Sequence, residues 1–351
     1  MNKLKLTIKE NSKYKIITND QYNVRFNKLN GYMERKGFNH SNDPQVAPMF
    51  EHLDWELSSS CDHCCPWCYK SCMPSNDTID IDTFKSSLDK IKSMNPILMQ
   101  IAYGVGSLNY IPHLEDILKY TRSKNIIPNI TIASHEYLHG MGVDDQLHAI
   151  RNHCGAVAIS NYKLEDTILM VDYMQCDMNN VPSKLAQVNV HQFLSMETYN
   201  DAMKILQEVK DNSYFNPNAI VFLWVKPKGR AQDNFHPITQ SMLDDFISYA
   251  LSNNISIGFD SCSSPMCLCN KQMEQFKDVI ESCESTLFSA YLDTTGNFYP
   301  CSFSNDQCKG IHINNITNID DLWQSETFTS FRKKLLTNNR ECPLFNLCVG
   351  G

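Results

Sequence analysis

From residue 52 to residue 260 the sequence alternates between short apolar runs and segments of helical period. The runs are HLDWELS (52–58), LMQIAYG (98–104), PNITIAS (128–134), GAVAIS (155–160), AQVNVHQFL (186–194), AIVFLWV (219–225) and ISIGFD (255–260). Each is bounded by turn residues and has the length of a strand. Between them, DTFKSSLDKIKSM (82–94) puts Phe84, Leu88 and Ile91 on one helical face, with Asp82 as a candidate cap. Helical spacing recurs over 111–125, 143–153, 164–178 and 198–212, and again through Leu243, Phe246, Ile247, Ala250 and Leu251. Strands alternating with helices imply right-handed βαβ units around a parallel sheet. Six or seven such units predict an α/β fold, a full or partial (β/α) barrel. In barrels the chemistry sits on the loops that follow the C-terminal ends of the strands.

The 351 residues are enough for one large domain and an appendage. Residues 1–50 are polar and broken by Asn, Gly and Pro, and KLTIKE and YKIITND can pair as a small hairpin. After residue 262, FSAYLDTTGNFYPCSF (288–303) reads as a hairpin turning at Thr295-Gly296-Asn297, and a helix follows near 325–338. The expected organisation is an N-terminal extension over 1–50, a core over 51–262 and a small cysteine-rich unit over 263–351. A hydrophobic content of 42% supports a sizeable core. The net charge of -8 argues against a general nucleic-acid surface. The start, MNKLKLTIKENSKYK, lacks a signal-peptide pattern, and AIVFLWV is far too short to span a bilayer. A cytoplasmic protein with no membrane partner is expected.

Fifteen cysteines stand out in such a chain. Without a secretion signal they are better read as metal ligands, catalytic groups or buried small hydrophobes than as disulfides. Five lie in SSSCDHCCPWCYKSC (58–72), directly after the first strand of the core. Three of these, Cys61, Cys65 and Cys68, have the spacing C-x3-C-x2-C. Three thiolates on one loop suit a cluster that keeps one iron open. The pairs Cys61/Cys64 and Cys65/Cys68 also match half of a zinc site, but no second C-x2-C or H-x3-H follows at modest spacing. Cys64 and Cys72 fall outside the triad and read as packing residues. Cys154 and Cys176 are isolated and read as buried apolar side chains.

The run Cys61-Asp62-His63-Cys64-Cys65-Pro66-Trp67-Cys68 resembles the CxxxCx(aromatic)C signature of the radical S-adenosylmethionine (SAM) superfamily. That resemblance implies a [4Fe–4S] cluster on Cys61, Cys65 and Cys68. Its open iron chelates SAM, and an electron cleaves SAM to a 5'-deoxyadenosyl radical that abstracts a substrate hydrogen. It also implies a partial (β/α)6 barrel and an electron donor such as flavodoxin or ferredoxin. Trp67 and Tyr69, on either side of Cys68, are expected beside the cofactor. Gly104-Val105-Gly106-Ser107 stands where the family carries a Gly-Gly-Glu-Pro-like turn; the Glu-Pro half is missing. Ser134 and Ser160 follow later strands, at places where family members contact SAM. KPKGR (226–230) follows another strand; its charges can meet a carboxylate, and the simpler reading is a solvated face.

Cys283, Gly296 and Cys301 form C-x12-G-x4-C, which resembles the opening of the SPASM and twitch extensions. The resemblance implies an auxiliary [4Fe–4S] cluster, with Cys342 and Cys348 completing four thiolates. Cys262, Cys267, Cys269 and Cys308 remain open as further ligands. Relatives with such extensions often modify peptides, so a peptide or protein substrate is the first expectation. A small molecule, nucleotide or cofactor precursor is the alternative substrate class. A non-catalytic iron–sulfur or zinc module is the remaining reading, and it has no need of an open triad on a large barrel.

Overall fold

The computed structural model describes residues 6–36, 45–74, 77–137, 143–176, 183–277, 280 and 282–337. Four strands open the chain: β1 (Thr7–Glu10), β2 (Tyr14–Thr18), β3 (Asn23–Asn27) and β4 (Met33–Lys36). They form an antiparallel sheet in chain order. The expected hairpin is thus its first half. One face buries Ile17, Tyr22, Val24 and Phe26 against Ala47, Ile97, Met99 and Ile127. Lys15 closes the join, donating to the carbonyls of Pro96 (2.6 Å) and Leu98 (3.1 Å).

The second sheet contains β5 (His52–Glu56), β6 (Gln100–Gly104), β7 (Ile127–Ala133), β8 (Ala156–Ser160), β9 (Gln187–Leu194), β10 (Ala219–Trp224) and β11 (Ile257–Phe259). These seven pair in parallel with their sequence neighbours. Beyond β5 the sheet continues with β12 (Ser289–Leu292), β13 (Asn297–Tyr299) and β14 (Ile311–His312). The β12 strand runs parallel to β5, with Ser289 opposite His52 and Tyr291 opposite Asp54. The pairing makes an open, partial barrel whose first strand is extended by the C-terminal hairpin.

The outward face of β5 is apolar. Leu53, Trp55 and Leu57 are buried, and Trp55 stacks on Phe84 at 4.8 Å. Phe84 belongs to α1 (Ile81–Met94), which buries Phe84, Leu88 and Ile91 as its spacing predicts. Its cap is Asp80 rather than Asp82: the Asp80 carboxylate accepts from the amides of Asp82 and Thr83. Asp82 instead sits in the first turn, where its charge favours the positive end of the helix. Five more helices alternate with the strands: α2 (Leu114–Ser123), α3 (Asp144–His153), α4 (Leu164–Gln175), α5 (Tyr199–Asp211) and α6 (Gln240–Ser252). A short α7 (Ser264–Leu268) follows β11, and α8 (Ile319–Trp323) and α9 (Glu326–Leu335) close the described chain. Trp323 is fully buried, and its indole donates to the carbonyl of Ala47 at 2.9 Å. No helix among the described residues is long and apolar enough to cross a membrane.

Lys15 yields a test of this packing. Burial is the main cause that lowers its pKa from 10.5 to about 7. Between about pH 7 and pH 10.5 the unfolded chain therefore holds a proton here that the folded chain does not. Stability contributed by this group should rise with pH across that window. In Lys15→Met, urea unfolding at a series of pH values should show a smaller rise than the parent protein shows.

Candidate functional site

The cysteine loop begins where β5 ends, and both of its ends are fixed by hydrogen bonds. Leu57 N donates to Gly104 O at 2.9 Å, and the hydroxyls of Ser58 and Thr78 lie 2.7 Å apart. Farther along, Lys70 donates to Glu56 at 2.5 Å and to the Tyr291 hydroxyl at 2.6 Å. Tyr291 in turn donates to the other Glu56 oxygen at 2.6 Å. The end of β5 and the C-terminal strand β12 thus hold the same lysine.

Two glycines let other loops press against this one. A Cβ on Gly106 would stand 2.2 Å from Ser60 O and 2.7 Å from Cys61 Cβ. The glycine in the turn after β6 therefore serves contact with the cysteine loop itself. Gly229, at φ +61°, has a similar place on the other side. A Cβ there would stand 2.4 Å from Tyr69 O and 2.5 Å from Cys68 O. The next residue binds the loop's carbonyls. Arg230 donates from its amide to Cys68 O (3.0 Å), from Nε to Cys65 O (2.7 Å) and from Nη1 to Cys72 O (3.0 Å).

The solvated reading of KPKGR is thereby corrected. Lys226 pairs with Asp260 at 2.5 Å, and Lys228 bonds Phe303 O, Asn305 and Asp306. Its positive charges are spent on backbone carbonyls and carboxylates because β10 delivers the segment onto the cysteine loop.

Cys61, Cys65 and Cys68 line one cavity of about 540 Å³ at the C-terminal ends of the barrel strands. Gly104, Val105, Gly106, Ser160, Trp67 and Tyr69 share its wall. Ser107 and Ser134 are buried behind that wall, and the Ser134 hydroxyl accepts from the amide of Tyr162 at 3.3 Å. Trp67 lies flat between Tyr162 and Phe193, with ring centroids at 5.3 and 5.5 Å. Tyr69 packs on Phe303 at 4.4 Å, so the segment after Cys301 closes one side of the cavity.

Their surroundings act differently on the three thiols. Burial pushes Cys61 up to about 11 and raises Cys65, whose Sγ donates to the Tyr162 hydroxyl at 3.0 Å. Cys68 is lowered to about 5, first by a hydrogen bond from the Cys72 thiol. Cys72 therefore acts on the triad and is more than a packing residue. The Cys72 thiol thus favours the thiolate of Cys68, the form that binds iron.

Sequence reasoning also passed over His63, which lies inside the motif. Its Nε2 stands 3.0 Å from Glu136 Oε1 and its Nδ1 2.7 Å from His135 Nε2. The same Glu136 oxygen accepts from Leu108 N at 2.9 Å, which ties the cysteine loop to the ends of β6 and β7.

The C-terminal cysteines are divided. Cys342 and Cys348 lie outside the described residues. Cys283 and Cys301 are half-buried, and each adds its charge to the burial that pushes Cys262 up to about 11. Cys262 thus shares a neighbourhood with both. Cys267 is buried, Cys269 is exposed, and the Cys308 thiol is taken up by Ser304 O at 3.3 Å. Among the described residues, no three His, Cys, Asp or Glu side chains converge tightly enough to hold a single metal ion.

Residues 283–348 match the SPASM family of iron–sulfur cluster-binding domains, from Cys283 to Cys348. The whole chain shares its fold with solved structures of low identity. Streptococcus suis SuiB bound to S-adenosylmethionine superposes with a TM-score of 0.71 at 11% identity, covering 98% of this chain and 95% of that one. SuiB bound to its precursor peptide SuiA gives 0.72 at 12% identity, with coverages of 99% and 95%. Native anSMEcpe with bound AdoMet and the Kp18Cys peptide gives 0.57 at 15% identity, with coverages of 86% and 89%. No curated protein sequence matches the chain.

Two substitutions test the hold on the loop. In Gly106→Ala the new methyl meets backbone rather than a flexible side chain, so the loop must shift. Arg230→Met removes the two guanidinium bonds to Cys65 O and Cys72 O. Both variants should bind less iron than the parent after anaerobic reconstitution, measured as iron per chain.

Proposed function

We propose that this chain, a radical SAM fold joined to a SPASM domain, is an enzyme that cleaves SAM reductively and abstracts hydrogen from a peptide or protein substrate. The reading rests on one observation above all. Three cysteines of one loop face a cavity at the catalytic end of a barrel, and the glycines of the neighbouring strand share that cavity's wall. Three thiolates leave one iron of a cubane open to a further ligand. The donor set fits that group: soft sulfur, a neighbouring thiol that favours the thiolate of Cys68, and a loop locked from both sides. When bound there, a [4Fe–4S] cluster with SAM supplies the radical chemistry.

The chain's own residues do the rest. Arg230 holds the loop through the carbonyls of Cys65 and Cys72, and Trp67 with Tyr162 and Phe193 forms an aromatic wall against water. Gly104, Val105 and Ser160 line the space left for SAM. A reductant of the flavodoxin or ferredoxin kind would supply the electron.

Support for a peptide substrate is comparative. The SuiB and anSMEcpe structures hold peptides, and the cavity here is of a size that takes a cofactor together with a side chain. For the auxiliary cluster we assign Cys283 and Cys301, with Cys342 and Cys348 from the end of the SPASM match and Cys262 as the neighbouring thiol in competition with them.

Anaerobically reconstituted protein should carry about eight irons, as two cubane clusters require. Replacing Cys61, Cys65 and Cys68 with Ala should remove about four and abolish 5'-deoxyadenosine formation; persistent SAM cleavage would refute the assignment. Cys262→Ser should lower the iron count if Cys262 is a ligand, whereas Cys267→Ser should leave it unchanged.

A further inference from the structure

The inward face of β5 is made of ionisable residues. Side chains alternate across a strand, and since Leu53 and Trp55 point out to the helices, His52, Asp54 and Glu56 point into the lumen. Two of the three have partners. Glu56 is held by Lys70 and Tyr291, and His52 stands 3.5 Å from Glu284. Among the described residues, Asp54 has neither a hydrogen bond nor an ion pair.

His52 and Lys70 act on it through their charge alone, and the cations nearby are bonded elsewhere. Lys70 is taken by Glu56, and Arg35 is shared by Glu51 and Glu284, each at 2.7 Å. Lys226 is committed to Asp260 at 2.5 Å. His191, which also lines the cavity, is driven down to about 4 by burial and is neutral. Carboxylates therefore outnumber the cations available to them along this wall.

Space is present where the charge is missing. Asp54 and Ala102 line both the upper cavity of about 540 Å³ and a lower one of about 730 Å³ at the other end of the barrel. Tyr291 and Ala102 flank Asp54 in register across the sheet, and the alanine methyl leaves room above the carboxylate. Asp54 is accessible, but to this lumen; protein surrounds it, and desolvation raises its pKa. Along the strand it lies two residues, or about 7 Å, below Glu56, where the cysteine loop takes off. A cation entering the lumen would give this carboxylate the direct partner it lacks and favour its charged form.

We propose that Asp54 is a substrate-positioning residue, the subsite for a positively charged group, an alkylammonium or a guanidinium, carried by the substrate. The proposal rests on the reading of the upper cavity as the reaction chamber. It narrows the substrate class to molecules that present a basic side chain or amine close to the atom attacked.

Calorimetric titration of the reconstituted enzyme with n-hexylammonium, n-hexylguanidinium and neutral 1-hexanol tests it. At least one of the two cations should bind at least about tenfold more tightly than the alcohol, and their order tells ammonium from guanidinium. Asp54→Asn should erase the preference, and Asp54→Glu should restore part of it. Equal affinity of all three probes for the parent protein, no binding of either cation at millimolar concentration, or a preference that survives Asp54→Asn would each overturn the proposal. The parent comparison needs no variant, so a variant that fails to fold does not remove the test. The titration is run with and without SAM. If SAM leaves the cluster's spectrum unperturbed, the radical SAM reading fails, and the cation preference is still judged on its own.

Discussion

Strand β5 pairs in parallel with β6 on one edge and with β12 on the other, and the whole arrangement is built around those two ladders. Its outward residues anchor the first helix through the Trp55–Phe84 stack, while its inward residues set the polarity of the lumen. Its C-terminal end launches the cysteine loop. Because β12 belongs to the SPASM match, the auxiliary region is part of the same sheet as the barrel. Tyr291 of β12 and Lys70 of the cysteine loop meet on Glu56 of β5, so the two cysteine-bearing regions share one carboxylate.

The barrel was legible because its strands are buried on the outer face and its helices carry apolar stripes; both signals are periodic and local. The cysteine triad was legible for a different reason, since thiols at that spacing have few uses in a chain of this kind. The N-terminal sheet was only half legible. NVRFN and MERK carry little apolar signal, and they become strands because β2 pairs with β3, β3 pairs with β4, and residues under the barrel cover Val24 and Phe26.

Other features follow from tertiary placement, which residue type does not encode. KPKGR has the composition of a solvated loop, and only the arrival of β10 beside the cysteine loop turns Arg230 toward three carbonyls. In HLDWELS the alternation is visible in the letters, but polar residues on a strand ordinarily face water. Here they face an enclosed space instead. Cys72 reads as a bystander by spacing and gains its role from a fold of the loop that brings its thiol onto Cys68.

The glycines that grip the cysteine loop have a bearing on what fixes the positions of the three cysteines. Gly106 and Gly229 come from strands separated by more than a hundred residues of sequence, yet both approach the loop backbone more closely than any side chain would allow. The contact from Gly229 reaches back across most of the barrel, and pairings of such long sequence separation slow folding. Without these two contacts the three cysteines would sit on a segment gripped from neither side. The placing of the three thiols is thus a property of the whole strand series and not of the loop that carries them.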